Sequence, residues 1–93
     1  MKIVYKARNK NVQTQSEVEF KSIKELIEYI IIEYQYANID SDDIYFQYLG
    51  NFYTSTSNFV GDVYTIYARI ENNLEPDSEF RDLQAIGTMH FKE

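Results

Sequence analysis

His90 is the only histidine in a chain that has no cysteine, and those two facts decide much of the available chemistry. A nucleophile–base–acid triad would need that imidazole beside a positioned serine and a carboxylate. No G-x-S-x-G or comparable signature surrounds any serine, so His90 reads as a surface residue on a terminal strand. Zinc sites draw mainly on several histidines or cysteines, and no metal site is expected. Asp40-Ser41-Asp42-Asp43 invites comparison with a calcium loop, which wants oxygen ligands at positions 1, 3 and 5, glycine at 6 and glutamate at 12. Counted from Asp40, position 5 is Ile44, position 6 is Tyr45 and position 12 is Asn51. The run therefore reads as a solvated turn. Gly50, Gly61 and Gly87 are isolated, which leaves no glycine-rich phosphate loop. Glu25/Glu28 and Glu71/Glu75 have the residue types for acid–base work, yet nothing in the sequence desolvates them. A non-catalytic chain without a cofactor is the expectation.

Charge narrows the partners. The formal net charge is −6, but residues 1–24 hold six cations against two acids, while residues 25–93 hold three against thirteen. A net negative chain argues against general phosphate-backbone binding, which depends on lysine and arginine. The exception is local: Lys2, Lys6 and Arg8 alternate on one face of the first strand, with Lys10 just beyond. Tyr45 or Tyr67 would stack with a base if the fold sets them beside that stripe. The competing expectation pairs the stripe with Glu17 and Glu19 across a hairpin.

The elements that must position these residues follow from periodicity. At 93 residues with 44% apolar and 16% aromatic content, one domain spanning 1–93 is expected. The longest apolar run, Tyr29-Ile30-Ile31-Ile32, falls far short of the roughly 20 residues that span a bilayer, and no membrane is expected. The absence of cysteine fits a reducing cytoplasm. Residues 2–8 alternate, with Ile3, Tyr5 and Ala7 on one side. Asn9-Lys10-Asn11 turns the chain, and 12–20 alternates again. Ser22 and Glu25 form a capping box, after which Ile23, Leu26, Ile27, Ile30, Tyr34 and Ala37 follow helical spacing, predicting a helix over 23–37 that stops at Asn38. Strands are predicted at 44–49, 63–71 and 83–91. Residues 50–61 hold either a short strand at 52–56 or an irregular loop, and 79–86 permit a helical turn before the last strand. The fold class is α+β, β-β-α-β-(β)-β-β: one antiparallel sheet of four to six strands with one main helix on one face.

Such a plan has one apolar sheet face and one apolar helix stripe, and this chain has more apolar residues than they hide. On a helical wheel Tyr29, Ile32 and Tyr36 fall outside the core arc, beside Glu25, Glu28 and Glu33, at i, i+3, i+7 spacing. The sheet face opposite the core carries Tyr45, Leu49, Val63, Tyr67 and Ile86 beside Gln47, Thr65, Arg69, Gln84 and His90. Tyrosine is enriched at interfaces, so the helical ridge and its glutamates are the expected partner surface. The partner is another protein or a second copy of the chain, and nucleic acid on the basic hairpin is the alternative.

In composition the chain resembles small, acidic, cysteine-free proteins of bacteriophages and mobile elements from AT-rich hosts. That resemblance implies an inhibitor of a host defence or nucleic-acid-handling protein.

Overall fold

The structure, a computed structural model, describes residues 2–8, 17–70 and 82–92. The predicted turn at Asn9–Asn11, the first half of the second strand, Lys10 and the 71–81 connection lie outside the described residues. The described residues form six strands: β1 (Lys2–Ala7), β2 (Glu17–Phe20), β3 (Ile44–Tyr48), β4 (Asn51–Tyr53), β5 (Val63–Ile70) and β6 (Asp82–Lys92). They form one sheet in the order β2-β1-β6-β5-β3-β4, with every pairing antiparallel. One helix, α1 (Ile23–Glu33), covers part of one face. The α+β single-sheet reading holds.

α1 starts where its residues say it must. Ser22 Oγ accepts from the Glu25 amide at 3.2 Å, and Glu25 Oε2 reaches back to accept from the Lys21 amide at 2.9 Å. Leu26, Ile27 and Ile30 are buried against the sheet. The predicted extent of 23–37 needs correction, because α geometry ends at Glu33 and a 3-10 turn carries residues 35–37. The tighter turn lets Ala37 and Asn38 donate to the Tyr34 and Gln35 carbonyls at 2.9 and 3.1 Å, occupying acceptors that a helix end leaves bare. Asn38 then stops the chain in the left-handed region, φ 52° and ψ 46°.

The core has two halves. Ile3 and Tyr5 meet the helix on one side. On the other, where α1 does not reach, loop 54–62 folds back and seats Phe59 on the sheet. Its ring lies 5.2–6.1 Å from those of Phe46, Tyr53, Tyr64 and Phe91. Residues 50–61 thus hold a strand shorter and earlier than the expected 52–56, β4 at 51–53, followed by an irregular loop. The hairpin joining β3 to β4 turns on Leu49 (φ 49°) and Gly50 (φ 81°), the double left-handed geometry of a two-residue turn matched to sheet twist.

β6 corrects a second expectation. Strict alternation would place Leu83 inside and Ile86 outside. Ile66 pairs with Gly87 but Tyr67 pairs with Ala85, so Ile86 is the extra residue of a β-bulge. Ile86 is 3% exposed and Leu83 40% exposed. The Ile86 carbonyl accepts from the Arg8 amide at 2.8 Å.

Tyr5 carries a testable oddity. Its ring is buried, and among the described residues its hydroxyl has no hydrogen-bond partner. Burial, reinforced by Glu33 and then by Tyr34 and Tyr29, pushes its pKa well above the ordinary tyrosine value. The folded protein therefore holds this proton where the unfolded chain releases it, so stability present below pH about 10 falls as pH rises further. Removing the stranded hydroxyl with Tyr5→Phe is expected to raise the unfolding free energy by about 1 kcal/mol. It should also soften the alkaline loss, as read by urea melts across pH.

Candidate functional site

The helix ridge does not assemble as the wheel suggested. Tyr29 turns inward: its ring lies 5.2 Å from Phe20 and 5.9 Å from Tyr5, and partial burial followed by Glu33 raises its pKa. Ile32 and Tyr36 remain 70% and 79% exposed. Tyr36 stands beyond α1 on the 3-10 turn, with its ring 5.9 Å from that of Tyr34. Glu25, Glu28 and Glu33 are exposed, and Glu25 is engaged in the cap. Of the three expected ridge residues, Tyr29 is drawn partly into the core and Ile32 and Tyr36 stay exposed.

Asp40–Asp43 folds as a self-capping turn. Asp40 Oδ1 accepts from the Asp42 amide at 2.9 Å, and Asp43 Oδ2 accepts from the Asp40 amide at 3.1 Å. Among the described residues no three histidine, aspartate or glutamate side chains group as metal ligands. His90 is half-buried on the sheet, directly between Val4 and Val63 of the neighbouring strands.

The face of the sheet away from α1 gathers most of the other sequence candidates, but not Gln84, which the bulge turns with Ile86 to the helix side, where it pairs with the buried Ala68. The antiparallel registers lay Glu17, Lys6, Thr88, Thr65, Gln47 and Phe52 in one row across all six strands. The adjacent row holds Ala85, Tyr67 and Tyr45, which are register partners. Lys6 and Arg8, with Thr65, Ala85 and Thr88, line an open groove of about 440 Å³. Beyond the groove, Phe52 stands edge-on between Tyr45 and Tyr67, at centroid distances of 6.3 and 5.7 Å. The Arg69 guanidinium carbon lies 5.4 Å from the Tyr45 ring centroid, a cation–π contact. The face is therefore basic on the β1 side and aromatic on the β3–β4–β5 side, with small residues between.

Lys2 and Lys92 are paired at one end of this face. Glu17 and Glu19 lie opposite Lys6 and Val4 in the register, but among the described residues no ion pair joins them to the basic stripe. Val4 is buried although it shares this face. Longer neighbours, Glu19 and His90 across the ladders, flank it. Loop 54–62 lies on the opposite side, over Phe46 and Tyr64, and so leaves the aromatic cluster uncovered.

Sequence reasoning placed Tyr45, Tyr67 and Arg69 on this face and missed Phe52, whose segment was undecided. Gly50 was the signal available, but nothing in Leu49 announces the left-handed backbone (φ 49°) that makes a two-residue hairpin and sets the parity of β4. No family model, curated protein or solved structure matches the chain.

Proposed function

We propose that this chain is a non-catalytic binding module and that its ligand is nucleic acid held on the open sheet face. One observation carries the reading: among the described residues, charge is sorted by layer. On the open face Lys2, Lys6, Arg8, Arg69 and Lys92 stand against Glu17 and Glu19. On the helix and its following turns, Lys21 and Lys24 stand against Glu25, Glu28, Glu33, Asp40, Asp42 and Asp43. The overall charge of −6 opposes approach from afar, but salt screens it beyond about 8 Å at physiological strength. Among the described residues, the five cations of that face outnumber its two acids.

The test is retention of a labelled oligonucleotide as salt is raised. Each phosphate contact contributes about 0.7–0.9 to the slope of log affinity against log salt. Lys6→Glu/Arg8→Glu removes two contacts, so affinity is expected to fall at least tenfold at about 0.1 M salt, with a flatter slope. Both side chains sit on the outer face, so far-ultraviolet circular dichroism should be unchanged. No retention of DNA or RNA at low salt would overturn the reading.

A protein partner, either a second copy or a host nucleic-acid-handling protein, is the second reading, favoured by the exposure of Ile32 and Tyr36. It requires Ile32→Ser/Tyr36→Ser to abolish self-association in sedimentation or to abolish complex formation with the purified partner.

A further inference from the structure

We infer that the open face takes a single strand, with phosphates on the Lys6–Arg8 side of the groove and bases stacked on Phe52 and Tyr67. The inference rests on the nucleic-acid reading above and deepens it.

The geometry separates two kinds of contact by a distance suited to one extended chain. β1, which carries Lys6, lies two inter-strand steps from β5, which carries Tyr67, or roughly 10 Å. It lies four steps from β4, which carries Phe52, or roughly 19 Å. Between Lys6 and Tyr67 the floor is Thr65, Ala85 and Thr88, all too short to block a strand crossing the sheet, and the uncharged Gln47 stands between Thr65 and Phe52. Phe52 is 50% exposed, a large apolar ring at the end of a row otherwise made of Glu17, Lys6, Thr88, Thr65 and Gln47. Tyr45 serves differently, since Arg69 lies over its ring; it buttresses Phe52 from the side. A duplex keeps its base faces stacked inside and offers such rings nothing, whereas every base of a single strand has a free π-face. Charge complementarity selects a polyanion, and the rings select one with exposed flat groups.

The experiment uses the full chain and four probes: oligothymidylate of about 12 nucleotides, a duplex of the same length, a matching oligoribonucleotide and polyglutamate. Fluorescence anisotropy at about 50 mM salt reads the affinities. Oligothymidylate or the oligoribonucleotide is expected to bind at least tenfold tighter than the duplex and than polyglutamate. Phe52→Leu and Tyr67→Leu keep apolar volume while deleting the ring, and each should weaken single-strand binding about five- to a hundredfold. Phe52→Tyr, which keeps the ring, should retain it. Urea melts on the same proteins separate a folding defect from a binding one. Equal binding of duplex, or of polyglutamate, overturns the inference, as does a folded Phe52→Leu/Tyr67→Leu protein that binds like wild type. If salt-sensitive nucleic-acid retention persists in either case, the charge reading survives; if nothing is retained at low salt, both fall.

Discussion

Tyr64→Ala is expected to remove about 3–5 kcal/mol of stability, a large share of the roughly 5–15 kcal/mol that holds a domain folded. Tyr64 is fully buried, and its ring lies 5.2–5.9 Å from those of Tyr48, Tyr53, Phe59 and Phe91. Its hydroxyl accepts from the Gly61 amide at 2.6 Å, which ties the end of loop 54–62 to the start of β5. Truncation forfeits the ring's transfer energy, opens a cavity among side chains that cannot all collapse into it, and unties the loop. Urea unfolding should show a midpoint about 2 M lower with little change in slope. Tyr64→Phe keeps the ring and loses one hydrogen bond, so it should cost about 1 kcal/mol. A Tyr64→Ala protein that melts like wild type would mean that α1 alone closes the core.

Gly87→Ala is expected to cost about 3 kcal/mol and to lower the melting temperature by roughly 12–24 °C. A Cβ built at Gly87 would lie 2.5 Å from the Lys6 carbonyl oxygen, 2.8 Å from Tyr5 Cε1 and 3.2 Å from Ala7 Cα. Two of these obstacles are backbone, so they cannot rotate aside. The β1–β6 ladder must widen at the Ala7–Gly87 pair, next to the bulge at Ile86. Because Lys6 and Arg8 flank that pair and line the groove, oligonucleotide affinity should fall with stability. Differential scanning calorimetry and the anisotropy assay check the two outcomes together.

Local signals were legible and long-range ones were not. The start of α1 is written in Ser22 and Glu25, the inner face of β1 in the alternation of Ile3 and Tyr5, and the stop at Asn38 in a side chain that tolerates left-handed backbone. Tyr29 misled because the wheel assumes a narrow contact arc. β2 widens the sheet beneath the helix flank, and Phe20 meets Tyr29 there. Ile86 misled because a bulge adds one residue, and a period of two has no way to register it. The open face was half legible. Alternation put Tyr45, Tyr67 and Arg69 on one side of their strands and Lys2, Lys6 and Arg8 on one side of β1. That these sides coincide depends on β6 inserting between β1 and β5, a pairing between opposite ends of the sequence that no local pattern encodes.

That insertion bears on how the molecule is made. On the ribosome, β1 and β2 emerge before the other strands, while β6, the strand that completes the sheet's middle, is the last of the six to be made. Until then one side of β1 is a bare backbone edge, open to templating a foreign strand or engaging a chaperone. The long loop closure also predicts slow folding relative to helical domains of similar length, so the interval between synthesis and closure is when this protein is most exposed to aggregation.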